Sequence, residues 1–315
     1  MSLELLLKIF VPHDAERRAQ LEAGQRLVHY TTAEAAYKII TGKQVWLRNA
    51  LLMNDFSEMQ YGLNCLQSAW ASQAGDRLRD WLDRVVPGLK DEVVSTFDAH
   101  ADGLKVATFM MALSEHEIDE DEIGRLSMWR AYGGKNGVAL VLNPTIFTAQ
   151  TDGLKAYSAP VIYQTPGQFS ADFALFVDRL IENEDQLNKI DKASLVQAFF
   201  YTFRLHVLCT KHPGFREERE WRVFHSPLIE GGSDWLSKVN EVVHGVPQEV
   251  VKLTLRNDPA QEIVGLDPAG LVSRVIIGPA AHPVPTYHAF FEALRSVGVE
   301  NPGDRIWMSE IPLRQ

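Results

Sequence analysis

The stretch 211–224 (KHPGFREEREWRVF) constrains the fold most, because charged and apolar residues alternate along it after a Pro-Gly break. The alternating residues are Glu218, Glu220 and Arg222 on one side, and Trp221 and Val223 on the other. Successive side chains of a β-strand point to opposite faces, so this pattern predicts a strand over 218–224 with two carboxylates and a guanidinium on one face.

A row of two carboxylates is costly on a strand face unless a cation meets it. In one interpretation, Arg222 pairs with one carboxylate and leaves the other for an external cation, such as a sugar oxocarbenium ion. The alternative is an edge strand whose charged face is solvated. This segment alone does not decide between a site and a surface.

The bulk composition indicates a soluble globular protein. The 315 residues are 46% hydrophobic and 23% charged, and the formal charge of −10 disfavours a generic nucleic-acid or anionic-membrane partner. The two cysteines, Cys65 and Cys209, have no metal-ligand spacing and are too few for a disulfide framework. No apolar run approaches a membrane span, and no signal peptide is recognised at 1–12, so a cytoplasmic location is expected.

Helical and strand patterns follow one another without a regular βαβ rhythm, which predicts an α+β fold. Thr31 with Glu34 reads as a capping box that begins a helix after the first strand. A single domain over 1–315 is expected, with helical insertions at about 56–102 and 167–209. The predicted strands are 25–31, 43–48, 104–113, 138–142, 155–163, 218–224, 250–255, 272–277 and 305–311.

Several polar residues fall where predicted strands end, a common place for the rim of a cleft. These are His29, Tyr30 and Thr31 at the end of the first strand, and Ser114 directly after a central one. Each has a structural alternative, since a histidine at a strand end is often simply hydrogen-bonded and a serine often caps a helix. Nucleotide-loop, nucleophile-elbow and zinc-protease motifs are absent, and no metal site is predicted.

Seven ordered motifs together resemble the bacterial family known as domain of unknown function 2971. They are HYT (29–31), NDFSE (54–58), ALSE (112–115), MWRAYGGKNGVALVL (128–142), KHPGFREEREWR (211–222), RVIIGP (274–279) and SEIPLR (309–314). The chain departs from the family pattern at Phe56, where proline is usual, and at Leu113, where an aromatic residue is usual. The family is itself similar to the ADP-ribosyltransferase superfamily, which implies a split β-sandwich core with inserted and flanking helices, and a cleft that binds NAD.

The resemblance also implies roles for individual residues. His29 matches the residue that holds the adenosine ribose, with Tyr30 and Thr31 beside it, and Glu220 matches the catalytic glutamate, with Glu218 completing an E-x-E arrangement. The second superfamily position is open between Ser114 and Tyr132. The remaining expected contacts are Tyr132 or Trp129 stacking on nicotinamide, and Arg222 keeping a carboxylate ionised and pairing with phosphate.

The function expected from this resemblance is an ADP-ribosyltransferase-like enzyme. It would cleave the nicotinamide–ribose bond of NAD and transfer ADP-ribose to a protein or nucleic acid, in the role of a toxin or in phage defence. A fixed carboxylate suits this reaction because positive charge builds on the ribose as the bond breaks. The alternatives are an NAD hydrolase and a catalytically silent module of the same fold that binds a nucleotide or a partner.

Overall fold

The computed structural model describes residues 3–52, 57–149, 151–243 and 245–312. Its helices are α1 (Leu3–Phe10), α2 (Pro12–Glu22), α3 (Ala33–Gly42), α4 (Ser57–Trp70), α5 (Gln73–Val85), α6 (Leu89–Val106), α7 (Leu126–Met128), α8 (Thr145–Thr148), α9 (Pro166–Glu182), α10 (Glu184–Leu187), α11 (Lys192–Cys209), α12 (Pro227–Glu230), α13 (Pro268–Leu271) and α14 (Pro283–Ser296). Its strands are β1 (Arg26–Thr32), β2 (Gln44–Asn49), β3 (Phe109–His116), β4 (Gly137–Leu142), β5 (Tyr157–Pro160), β6 (Ile162–Tyr163), β7 (Thr210–Lys211), β8 (Glu220–His225), β9 (Leu236–Val243), β10 (Val246–Thr254), β11 (Val272–Ile277) and β12 (Ile306–Met308). The predicted α+β class is confirmed.

Ten of these strands form one mixed sheet that branches at β3. The main path runs β12-β11-β4-β1-β3-β2-β10-β9, and β8 pairs with the other edge of β3 and carries β5. Along the edge of β3 opposite to β8, β1 pairs with β3 from Ser114 onward and β2 pairs with Phe109 and Met110. Residues 111–113 lie between these two contacts and pair with neither strand, so a notch opens in the middle of the sheet.

The two faces of the sheet are covered differently. Helices α4, α5, α6, α9 and α11 pack together over β8 and β5, so the two predicted helical insertions share one apolar core. Helices α3 and α14 cover the opposite face. Within the described ranges, no helix combines the length and apolarity that crossing a membrane needs.

Some predicted boundaries are wrong, and each has a local cause. The strand predicted over 218–224 begins at Glu220, because Pro213–Glu218 forms a 3-10 helix and Arg219 takes a left-handed conformation (φ 42°). The strand predicted over 104–113 is β3, which starts only after α6 ends at Val106. Strand β1 runs one residue further than predicted, so Thr32 rather than Thr31 caps α3 and accepts from the Ala35 amide at 3.2 Å.

Candidate functional site

A cluster of five charged side chains lies on the face of β8 that packs against α4 and α11. The sequence predicts a row of two carboxylates and one guanidinium on this face. Lys211, at the end of β7, contacts three carboxylates: Glu58 at 2.5 Å, Glu218 at 2.7 Å and Glu220 at 3.0 Å. Arg222 binds Glu220 Oε1 through Nε at 2.8 Å and also contacts Glu58. The expectation that Arg222 would leave one carboxylate free for an external cation is wrong, because Lys211 occupies that place.

Charge balance explains how this cluster tolerates burial. Burial alone would raise the pKa of Glu220, but Arg222 and Lys211 outweigh it and lower that pKa to about 2. Burial would likewise lower the pKa of Lys211, yet Glu220 and Glu58 raise it instead. Burial raises the pKa of Glu58, with Arg222 opposing the rise, and both oxygens of Glu58 contact cations. Counted by formal charge, the three carboxylates and two cations give the cluster one net negative charge.

The negative end of the cluster reaches the surface at Glu218. The exposed fraction of the side chain is 5% for Glu220, 13% for Glu58 and 21% for Glu218. Glu218 Oε1 accepts a hydrogen bond of 2.9 Å from the hydroxyl of Tyr132, a residue that is 37% exposed. Burial, followed by the charge of Glu218, raises the pKa of Tyr132, so this phenol stays protonated at neutral pH. Glu218, not the predicted Glu220, is the carboxylate of the cluster that a ligand can reach most easily.

The backbone of Glu218 is held from the opposite side by Ser114 and Arg125. The Ser114 hydroxyl donates to the Glu218 carbonyl and accepts from the Arg125 guanidinium, which also donates to the Glu218 carbonyl at 3.2 Å. Ser114 is buried and its hydroxyl is fully used. Of the two candidates for the second superfamily position, the structure therefore places Tyr132 at the accessible carboxylate and Ser114 behind it.

His29 lies in the notch of the sheet. Its Nδ1 bonds the Ala112 carbonyl at 3.1 Å, and since a carbonyl only accepts, Nδ1 carries the proton and Nε2 is an acceptor. Burial lowers the pKa of His29, so the ring is neutral at pH 7. Ala112 and His29 are only half-buried, although they lie in mid-sheet. The imidazole therefore has an acceptor nitrogen and lies in a partly exposed part of the sheet.

The structure does not bring His29 and Glu220 onto one face. Val28 pairs with Ser114, which pairs with Glu220, so these three side chains share a face and His29, one residue along β1, does not. The hydrogen bond to a β3 carbonyl, which lies in the plane of the sheet, instead keeps the imidazole in the gap between β1 and β3. Thr31, two residues on, alternates to the same side as His29.

Tyr30 and Trp129, both predicted to bind the cofactor, are buried and make contacts within the protein. The Tyr30 hydroxyl bonds His116 Nε2 and accepts from the Arg125 amide at 2.8 Å. The buried Trp129 indole packs edge-on against Tyr30 at 4.8 Å and donates to the Ile123 carbonyl at 3.0 Å. These contacts anchor the π-helical turn Trp129–Gly133, which presents Tyr132 to Glu218.

Four members of the site were not among the predicted site residues: Glu58, Arg125, Lys211 and Tyr163. Tyr163 bonds the Glu220 amide through its hydroxyl at 2.8 Å. Glu58 and Lys211 belong to the motifs NDFSE and KHPGFREEREWR. Their place in these motifs is the sequence signal that could have identified them as site residues. Residues 54–56 of the motif NDFSE and residues 313–314 of the motif SEIPLR lie outside the described residues.

Comparison with known proteins identifies a family for the middle of the chain. No curated protein and no solved structure matches the chain. Residues 128–223 match the family model described as protein of unknown function (DUF2971), a segment that begins one residue before the Tyr132 turn, ends within β8 and includes Lys211, Glu218 and Glu220. The predicted relationship to the DUF2971 family is therefore confirmed for residues 128–223, the part of the chain that carries most of the site.

Proposed function

We propose that this protein cleaves the nicotinamide–ribose bond of NAD and transfers ADP-ribose to a protein or nucleic acid, with Glu218 as the carboxylate that meets the ribose. The observation that carries the proposal is the partly exposed Glu218–Tyr132 pair at the open end of a buried ion cluster. Glu220 is less suitable for contact with substrate, because it is 5% exposed and its two oxygens are bound by Lys211 and Arg222.

The chemistry of this pair suits the reaction. Positive charge builds on the ribose as the glycosidic bond breaks, and a carboxylate fixed beside it stabilises that charge where it develops. Glu218 is fixed twice, by Lys211 through its side chain and by Ser114 through its backbone. The exposed ring of Tyr132 adds an aromatic surface against which a departing nicotinamide can stack.

Glu220 and Arg222 act as positioning residues in this scheme. Both are buried, and together they hold Lys211 against Glu218. Arg222 donates to Glu220, to Glu58 and to the Leu208 carbonyl, so its guanidinium is not available for the phosphate contact that the sequence suggested. Its expected role of keeping a carboxylate ionised agrees with the low pKa of Glu220.

His29 is proposed to bind the adenosine ribose at the other end of the dinucleotide. Its Nε2 is an acceptor, the form that a ribose hydroxyl needs. Along β3, Ala112 lies two residues from Ser114, which bonds the Glu218 backbone, so the two backbone positions that hold His29 and Glu218 are about 7 Å apart along the strand. In this proposal the protein works in the cytoplasm, where buried free thiols such as those of Cys65 and Cys209 are common.

The test is incubation with NAD labelled on the adenosine side, with and without cell lysate, measuring free nicotinamide and label on macromolecules. Wild type is expected to release nicotinamide and to label lysate components. Release without labelling would overturn the transfer step and identify a hydrolase. No release would overturn NAD cleavage altogether and leave a silent binding module.

Matched variants assign the role of each carboxylate. Glu218→Gln is expected to lower the rate of nicotinamide release by about 10²–10³-fold, the usual loss for a group that stabilises transition-state charge. Glu217→Gln, the same change one residue away at an exposed position, is expected to keep wild-type rates. His29→Ala is expected to raise KM by about tenfold with little change in kcat, because it removes one hydrogen bond from the far end of the substrate. Equal rates for Glu218→Gln and Glu217→Gln would refute the assignment of Glu218.

A further inference from the structure

The notch beside Ala112 is bounded by two strands that diverge from the same edge of β3. Strand β1 pairs with β3 only through Val28, and β2 pairs with it only from Arg48 onward. Beyond these points both strands stay in the sheet, because their other edges pair with β4 and β10. The stretches 29–32 of β1 and 44–47 of β2 therefore form the two sides of the notch, and neither pairs with β3.

The notch is closed on one face of the sheet and open on the other. Helix α3 joins the two diverging strands and packs against both of them. Its residues Ala36 and Ile40 are buried in the same core as Leu47 of β2, so α3 covers that face. His29 and Ala112 are nevertheless only half-buried. Their exposure is therefore on the opposite face, which is the open face of the notch.

Trp46 lies on this open face, across the notch from Ala112. Arg48 of β2 pairs with Met110 of β3, and Trp46 and Ala112 are each two residues from this pair. They would lie directly opposite one another if the antiparallel ladder continued. Leu47 packs on the face of α3, so the alternation of side chains along β2 puts Trp46 on the open face.

The accessible carboxylate, Glu218, lies along the same face. Ser114, whose hydroxyl bonds the Glu218 backbone, and Ala112 are two residues apart and alternate to one face of β3. The order along the open face is therefore Glu218, His29 and Trp46. In the proposed site Glu218 meets the nicotinamide ribose and His29 binds the adenosine ribose. Trp46 comes next, at the position of the adenine base.

The side chain of Trp46 is held in place and remains accessible. It is half-buried, and the ammonium of Lys252, itself 2.5 Å from a Glu241 oxygen, lies 4.9 Å from the centre of its ring. Its indole N–H donates to none of the described residues. That N–H also reaches solvent, unlike the enclosed and unpartnered N–H groups of Trp81 and Trp221. A rigid aromatic surface of this kind loses little conformational freedom when a base stacks on it.

We propose that Trp46 binds the adenine of NAD by stacking and gives the site its preference for a nucleotide with a base at this end. This inference rests on the proposed NAD-binding function and adds a contact at the end remote from the cleaved bond. Stacking of a base on an aromatic side chain commonly strengthens binding by about 5–150-fold. Trp46 is a binding residue in this scheme and takes no part in bond cleavage.

Isothermal titration of the full chain with ADP-ribose tests the inference, because ADP-ribose keeps the adenine and has no nicotinamide bond to cleave. Trp46→Leu is expected to weaken ADP-ribose binding by at least about fivefold. Trp46→Phe is expected to keep most of the affinity, because an aromatic ring remains. Nicotinamide mononucleotide, the half of NAD that lacks adenine, is expected to bind wild type and Trp46→Leu equally.

Trp307→Leu is the matched control. Trp307 is also a half-buried tryptophan on a strand, with the guanidinium of Arg274 3.7 Å from the centre of its ring. It lies on β12, at the end of the sheet path remote from β2 and β10. Its replacement is expected to leave the affinity for ADP-ribose at the wild-type value.

The outcomes separate this inference from the proposed reaction. Wild-type affinity for ADP-ribose in Trp46→Leu would overturn the inference, and so would an equal loss of affinity for both ligands, since that indicates a general structural change. No binding of ADP-ribose to wild type at about 1 mM would also overturn it. Binding of ADP-ribose that depends on Trp46, without release of nicotinamide from NAD, would support the inference and overturn the proposed reaction. Release of nicotinamide together with binding that is independent of Trp46 would do the opposite.

Discussion

Replacing Lys211 with methionine tests the central electrostatic argument. Lys211 is 6% exposed and lies within 3.0 Å of three carboxylates. Methionine keeps much of the length of the side chain but removes the charge, so Arg222 alone then faces the carboxylates of this cluster. Breaking a buried ion pair by removing one partner typically costs about 3–5 kcal/mol, because the other charge stays buried without compensation. We expect the free energy of unfolding at pH 7 to fall by that amount.

The pH dependence gives the prediction its sign. The pKa of Glu220 is lowered from its usual 4.5 to about 2, which corresponds to about 3 kcal/mol of stability. A lowered carboxyl pKa stabilises the folded state above pH 4.5, and this contribution is lost as the pH falls from 4.5 towards 2. In Lys211→Met, Glu220 loses one of its two cations and its pKa rises. The difference in stability between wild type and variant is therefore expected to be largest at neutral pH and to shrink below about pH 4.

Urea denaturation followed by tryptophan fluorescence at pH 7, 5 and 3 measures this difference. Lys238→Met is the matched control, because Lys238 also contacts a carboxylate, Glu249 at 3.1 Å, but both side chains are about half exposed. Exposed pairs contribute about 0–1 kcal/mol, so the control should remain close to wild type. If Lys211→Met lost no more stability than Lys238→Met, or if its deficit were the same at pH 3 as at pH 7, the account of the cluster would be refuted.

Three further predictions concern parts of the fold that support the site. Tyr30→Phe is expected to lower the free energy of unfolding by about 1–3 kcal/mol in thermal denaturation, because His116 Nε2 loses its buried partner; a melting temperature equal to wild type would contradict this. Gly278→Ala is expected to cost about 1–3 kcal/mol, since an added Cβ would lie 2.8 Å from the Trp129 ring, and an unchanged urea midpoint would show that the ring yields freely. Both cysteines are buried, and burial raises the pKa of Cys209 to about 12, so a thiol reagent is expected to label the unfolded but not the native chain; rapid native labelling would refute this.

The sequence predicted the fold class well because the apolar periodicities are strong and local. Strand β3 was predicted to be central from its two apolar faces, and it pairs along both edges. Helices α4–α6 and α9–α11 largely fill the two segments predicted to be helical insertions, although α6 continues to Val106, past the predicted bound at 102. Predicted boundaries are wrong where the local backbone conformation decides them, as at the 3-10 helix before β8. The hairpin of β9 and β10 was predicted only as a strand over 250–255, because five residues of β9 are exposed or carry charge and its apolar pattern is weak.

The candidate site was predicted in part, for a physical reason visible at β8. Alternation along 218–224 correctly brought Glu220 and Arg222 onto one face, where they form an ion pair. It gave no information on Lys211 and Glu58, which reach the same carboxylates from β7 and α4. Pairing between residues that are distant in the chain depends on how the elements pack. The alternation of residues along one strand contains no information about that packing. The carboxylate of β8 that the sequence predicted to be free is therefore paired with cations in the structure.

The two glutamates of the E-x-E motif differ because the chain turns between them. Had the strand continued through position 218, both carboxylates would lie side by side on one buried face and repel each other. The left-handed Arg219 instead places Glu218 at the end of a 3-10 helix, where Tyr132 and solvent reach it, and leaves Glu220 in the strand against two cations. One motif thus supplies a buried carboxylate that holds the cluster together and an accessible one that can meet a ligand. In the proposed reaction, that division, more than the presence of two glutamates, is what lets this end of the cluster meet a developing sugar cation.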